Sequence, residues 1–239
     1  MESRGLVCWK VSLTIAGTVV LLSVGAGSAM GASAPRSDDV DPSTRTNDGD
    51  REAARLFSEV GKDEARHREK FLQAQKALTD PSSGATIPTD VRARPVEIQA
   101  GPSKVSSSRT LENLRAAMKG EAFAYAKYTL YGDRARETGQ PRLARLFHRT
   151  AAVERTEHFA EHASLAGAVR DTGTNLCATI KGETYEGTRI YPEYARQASA
   201  AGDSEVAEVL NGTAKDELRH AKAFSKKVAK LGRQCPTSS

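Results

Sequence analysis

The chain has 239 residues, 35 Lys and Arg against 30 Asp and Glu, a formal charge of +5 and only 5% aromatic residues. That is a soluble, globular composition, long enough for one good core plus extensions. The small, interspersed positive excess speaks against nucleic acid as a partner, and the Ala, Leu, Lys, Arg and Glu of the second half favour helices over sheet.

Residues 1–34 differ in kind from the rest. Arg4 and Lys10 precede a charge-free run over 11–34, with Leu13, Ile15, Val19, Leu21 and Val24 at its heart. This is the layout of a secretory signal, cleaved near Ala29 or the Ala32-Ser33-Ala34 triplet, or of an uncleaved membrane anchor. Either way the chain is expected to be exported, to a periplasmic or extracellular location. Cys8 lies in this segment, which leaves Cys177 and Cys235 to form one disulfide in an oxidising compartment or to stay reduced. There is no Cys-x-x-Cys.

Residues 35–50 have no apolar period and read as a disordered tether. A helical period then runs over 51–79, where Phe57, Val60, Glu64, His67, Phe71 and Leu78 share a stripe. Asp80-Pro81-Ser82-Ser83-Gly84 ends it, and the Pro- and Ser-rich stretch 80–108 reads as a linker. Four helices follow at short intervals. The first, 109–137, has Thr110 as its expected N-cap and aligns Leu111, Leu114, Met118, Glu121, Tyr125 and Tyr128. The second, 142–165, aligns Leu143, Phe147, Thr150, Glu154, His158 and Leu165. The third, 175–200, aligns Ile180, Glu183, Ile190 and Tyr194. Gly202 closes it and Asp203 caps the fourth, which aligns Val206, Leu210, Thr213, Glu217, His220, Phe224, Val228 and Leu231 before a tail at 232–239.

Each of the four apolar lines is broken near its middle by a glutamate: Glu121, Glu154, Glu183 and Glu217. A single glutamate on a helix is ordinarily solvated. Four on the buried lines of four helices are not, because a buried charge is costly unless it is paired. The chain also repeats itself. Gly120-Glu121-Ala122-Phe123 is echoed by Gly182-Glu183-Thr184-Tyr185, and Thr150-Ala151-Ala152-Val153-Glu154 by Thr213-Ala214-Lys215-Asp216-Glu217. Two helical hairpins related by a pseudo-twofold axis would bring the four carboxylates together. Carboxylates with imidazoles and no thiolate suit iron, with manganese or zinc as alternatives, and Glu186, one turn beyond Glu183, adds a further carboxylate.

Over about 109–231 these motifs, together with Tyr191-Pro192 and Glu217-x-x-His220, resemble the rubrerythrin branch of the ferritin-like superfamily. The resemblance implies an all-α, ferritin-like four-helix bundle with an additional N-terminal helix. It implies two iron ions held by Glu121, Glu154, His158, Glu183, Glu186, Glu217 and His220, with Tyr128 and Tyr191 standing behind the ligands. The implied reaction is oxidation of the reduced di-iron centre by hydrogen peroxide or dioxygen, of peroxidase or ferroxidase type.

The sequence departs from the family in three places. Three residues after Glu154 stands Glu157, and the histidine comes one later; both offsets face one side of a helix, and His158 is the preferred ligand. His162 and His148 are assigned to the surface or to the ring behind the ligands. The Cys-rich iron domain that peroxide-reducing members carry has no counterpart here, so electrons are expected from an external donor. Finally, Lys62-Asp63-Glu64-Ala65-Arg66-His67 nearly copies Lys215-Asp216-Glu217-Leu218-Arg219-His220; with the main site already complete, this copy is expected to be structural or solvated. The connection over about 166–174 spans at most about 30 Å, barely a helix length, so a homodimer with exchanged hairpins is expected. The rival reading is a non-catalytic iron-storage or structural module outside the membrane.

Overall fold

The computed structural model describes residues 46–236; the signal or anchor segment, most of the tether and the last three residues lie outside them. Among the described residues the chain is all-α, as expected, with five long helices and no strand. Helix α1 is Thr46–Thr79 and α2 is Ser108–Glu137. Helix α3 is one rod made of Pro141–Val153, a π turn Glu154–His158 and Phe159–Ala166. Helix α4 is built alike, from Thr172–Tyr185, a π turn Glu186–Ile190 and Tyr191–Ala201. Helix α5 is Ser204–Lys230. No described helix is long and apolar enough to cross a membrane.

Local chemistry sets the ends. The cap of α2 is Ser107 rather than Thr110: its hydroxyl accepts from the Thr110 amide at 3.2 Å, so Thr110 is already inside the first turn. Pro141, whose missing N–H costs nothing at a first helical position, starts α3, and Gly167 ends it at φ 61°, a left-handed conformation that a side chain would resist. Asp171 caps α4 by accepting from the amides of Gly173 and Thr174. Asp203 does stand at the start of α5, but its side chain makes no capping bond.

Helices α2 and α3 form an antiparallel pair, and α1 lies along the groove between them. Near its start Ala53, Leu56 and Val60 pack on Leu114 and Leu165. Further along, Ala74 meets Leu146 and Val153, and the Phe71 ring lies 5.2 Å from the rings of both Tyr128 and Phe147. The segment between α1 and α2 is a packed strap. Its Val91 is buried, with Ile87 and Ala93 beside it. The Val96 amide donates to the Thr156 carbonyl at 2.7 Å, and those of Gly101 and Lys104 donate to Val169 and Leu165 at 2.9 Å. A π turn disturbs the regular helical ladder, and the strap supplies a donor to it.

Helices α4 and α5 form a second antiparallel pair, joined to the first by the short stretch 167–171. Its seam is made of small residues, Ala207, Ala214, Ala221 and Val228 at seven-residue spacing on α5 and Gly187 and Ala195 on α4. The expected seam was the stripe from Val206 to Leu231. Of that stripe only Val228 is buried, while Val206 and Leu231 are 51% and 53% exposed. Small side chains let α4 approach on the alanine face, which leaves the larger residues on the other. A Cβ on Gly187 would lie 2.8 Å from Leu218 Cγ and 2.9 Å from the Ala214 carbonyl oxygen. Gly187→Ala is therefore expected to lower the stability of this pair by about 1–3 kcal/mol, read as a shift in the urea midpoint. A Cys177–Cys235 disulfide ties the tail to α4 across a separation of 58 residues, a loop whose closure restrains the unfolded chain by roughly 4 kcal/mol. Both cores made of larger apolar residues belong to α1–α3 and the strap, and the two pairs do not pack on one another.

Candidate metal centre

Among the described residues, ligand-type side chains gather in two separate groups. The first lies on the face of α2–α3 that α1 covers and contains Glu64, Glu121, Glu154 and His158, whose ligand atoms are all within 4.8 Å of one another. The π turn explains why the histidine offset is four. A π turn takes in more residues than an α turn, so the fifth residue, His158, returns to the face of Glu154. Glu157 points instead to the strap, where its carboxylate accepts from the Arg94 amide.

Glu154 is fully buried and sits between two imidazoles, with Oε1 3.2 Å from His67 Nδ1 and Oε2 3.0 Å from His158 Nδ1. Glu64 repeats the arrangement from α1: its Oε1 is 3.4 Å from His67 Nδ1 and 3.3 Å from His158 Nδ1. Glu121 Oε2 stands 3.9 Å from His158 Nδ1. On the far side of that ring Asp63 Oδ2 is 3.6 Å from Nε2.

Without metal, the charges hold one another. Burial would lower the pKa of both imidazoles, but the surrounding carboxylates outweigh it, Glu154 and Glu64 raising His67 to about 9 and Glu121, Glu154 and Glu64 raising His158 to about 11. Burial likewise works to raise Glu64, and His158 and His67 overcome it, bringing the acid down to about 2. Glu121 moves up, through burial and the repulsion of Glu154 and Glu64. These attractions are not matched by directional bonding. His67 Nδ1, both Glu154 oxygens and both His158 nitrogens are buried and in hydrogen-bond geometry with no partner, which is uncommon for buried polar atoms. Carboxylate oxygens and imidazole Nδ1 atoms gathered without bonding one another become, once the imidazoles release their protons, the donor arrangement of a divalent-cation site.

The second group is Glu183, Glu217 and His220 on α4–α5. His220 Nδ1 is 2.9 Å from Glu217 Oε2 and 3.2 Å from Glu183 Oε2, with 57% of the histidine side chain exposed. Hydrogen bonding between the two acids separates them, Glu183 moving up and Glu217 down. Glu186 is exposed and outside the group. Within one chain, then, Glu121, Glu154 and His158 come together, Glu183, Glu217 and His220 come together, and the two sets remain apart.

Tyr128 stacks beside Phe71 and Phe147, and burial with the nearby Glu154 and Glu64 charges holds its hydroxyl protonated. Tyr191 is half-buried and raised by burial and by Glu186 and Glu217. His162, assigned from sequence to the surface or the ring behind the ligands, is fully buried one turn after His158, 5.5 Å from the Phe57 ring. Burial and repulsion from His158 lower it to about 4, so it is neutral. His148 pairs with Asp133 at 3.1 Å, away from both groups. Sequence reasoning set aside Glu64 and His67. The signal that identifies them is the near-copy of 215–220 at 62–67.

Comparison with known proteins follows the same segment. The family profile described as Rubrerythrin matches residues 112–228. The chain is 35% identical to nigerythrin of Nitratidesulfovibrio vulgaris over 153 residues, 59% of this chain and 75% of that one. It is 35% identical to rubrerythrin of the same organism over 133 residues, 50% and 69% of the two chains, and 32% identical to rubrerythrin of Porphyromonas gingivalis over 133 residues, 50% and 66%. A solved structure of fully reduced, all-ferrous nigerythrin is 32% identical, with a TM-score of 0.27, covering 63% of this chain and 80% of that one.

Proposed function

Since the chain belongs to the rubrerythrin family, we propose that it is an exported non-haem di-iron protein that reduces hydrogen peroxide or dioxygen with electrons from an external donor. One observation carries this reading: Glu154 and His158 are fully buried, aimed at each other and at Glu121, and left without hydrogen-bond partners. An all-oxygen and imidazole donor set fits iron, with manganese and zinc as competitors. When bound, a pair of ferrous ions would supply the two electrons that, with two protons from solvent, reduce hydrogen peroxide to two waters or dioxygen to hydrogen peroxide.

The chain's own part is to hold and insulate. Glu154, between two imidazoles, would hold the metal together with Glu121 and His158. Tyr128, kept as the neutral phenol inside an aromatic wall, can donate a hydrogen bond or give up an electron before stray oxidant reaches the core, and Tyr191 stands likewise beside Glu183 and Glu217. The family set also calls on Glu183, Glu186, Glu217 and His220. Their face is uncovered within the chain, and because α1 already covers the face of Glu121, Glu154 and His158, a homodimer joined through the α4–α5 face, rather than one with exchanged hairpins, belongs to the proposal. Export is supported by the signal-like start and by the disulfide, a bond that persists in oxidising compartments.

The test is metal content and reactivity of protein beginning at residue 35. About two iron ions per chain are expected, with a near-ultraviolet band that rises on adding peroxide and falls on adding a chemical reductant. Metal-free protein of unchanged helicity would favour the non-catalytic, structural reading.

A further inference from the structure

We infer that α1 is a metal-ligating helix: Glu64 and His67, outside the segment that the family profile matches, complete a divalent-cation site with Glu121, Glu154 and His158. The inference rests on the metal reading of this cluster, not on any redox reaction there.

The first argument is geometric. Ligand atoms bound to one ion at about 2.0–2.2 Å lie roughly 3–4.4 Å apart, and the ligand atoms of Glu64, Glu121, Glu154 and His158 fall within 4.8 Å of one another with no ion to draw them in. Removing Glu64 leaves three donors. Glu64 and Glu154 moreover each face both imidazoles, at 3.0 to 3.4 Å. Two carboxylates shared between two histidines from different helices would hold divalent metal between them, with Glu121 beside His158.

The second argument is independent of those distances. His67 Nδ1, both Glu154 oxygens and both His158 nitrogens are buried and unbonded. A network built only to neutralise itself would be expected to satisfy those atoms.

The third is in the sequence. Aligned without a gap, α1 and α5 share Asp50 with Asp203, Glu52 with Glu205 and Ala54 with Ala207, then the Lys-Asp-Glu-x-Arg-His block, then Phe71 with Phe224. Helix α1 is thus a second copy of the Glu-x-x-His helix, docked on α2–α3 with Glu64 and His67 facing Glu154.

The experiment titrates the full chain with Co(II), and with Fe(II) under anaerobic conditions, in the parent and in two double variants, Glu64→Gln/His67→Gln and Glu217→Gln/His220→Gln. The expected result is at least about a tenfold loss of affinity for the first ion in the α1 variant, with a changed Co(II) visible spectrum, whereas the α5 variant keeps the first ion and its spectrum and loses only the binding that depends on Glu183, Glu217 and His220. Parent-like binding in the α1 variant with loss in the α5 variant would overturn the inference while leaving the family reading intact. A parent that binds neither ion would overturn both. Should the α1 double variant lose helicity, His67→Gln alone decides the matter through imidazole-nitrogen couplings of the bound paramagnetic ion: two coupled imidazoles in the parent falling to one supports α1 ligation, and an unchanged count overturns it.

Discussion

Glu154→Ala is expected to lower the stability of metal-free α1–α3 by about 3–5 kcal/mol and to abolish metal binding at the buried cluster. The first figure follows from the cost of stripping one partner from a buried ion pair. Glu154 is fully buried between His67 and His158, whose side chains are 8% and 2% exposed. Its removal leaves two imidazolium groups with Glu64, Glu121 and the more distant Asp63 for compensation. An exposed pair behaves differently: Arg196–Glu193, at 2.6 Å on the surface of α4, is screened by solvent and adds little. Glu154→Gln retains shape and one acceptor but not the charge, and should fall between parent and alanine variant. Urea unfolding followed by helicity, at neutral pH and with chelator present, reads the effect. An unchanged midpoint for Glu154→Ala would mean that the imidazoles are neutral in the folded protein and that this account of the cluster's charge is wrong.

What the sequence made legible was what is decided locally. The ends of α2 were expected at 109 and 137 and lie at 108 and 137, because serine and glycine punctuation acts within a turn of itself. Breaks in the apolar lines identified Glu121, Glu154, Glu183 and Glu217 for the same reason: a charge on a greasy stripe shows without knowing what faces it. The seam of α5 depended on its neighbour. The Ala207, Ala214 and Ala221 face packs on α4 because that face lets the backbones approach, and no count of large apolar residues reveals it. The choice between Glu157 and His158 turned on a π turn, which shifts the register by one residue. Glu64 and His67 look spare in the sequence because four other helices already complete the count. What that count left out is that one chain does not close its own bundle: α4–α5 stays away from α2–α3, and α1 takes the face.

Raising the pH should weaken metal-free α1–α3 and strengthen metal binding over the same interval. His67 and His158 are raised from 6.5 in the unfolded chain to about 9 and about 11. Below pH 6.5 both folded and unfolded forms hold these protons, and the stabilisation is complete. Above it the unfolded chain releases them first, so stability falls as pH climbs, through about 9 for His67 and on toward 11 for His158. For His67 the shift corresponds to roughly 3 kcal/mol. Because both imidazoles face Glu64 and Glu154, they titrate as a pair and the loss is spread across the window. At the acid end Glu64, lowered from 4.5 to about 2, contributes stability that is present above 4.5 and disappears as pH falls through 2. A metal ion reverses the alkaline limb, since it binds imidazole nitrogen only after the proton has left. Ion binding near pH 7 should therefore release about two protons from His67 and His158, measurable by calorimetry in buffers of different ionisation enthalpy, and affinity should rise with pH between about 7 and 9. Unfolding curves with and without the ion should accordingly diverge as the solution becomes more alkaline. If they converge instead, the two histidines are not the groups that exchange protons for metal.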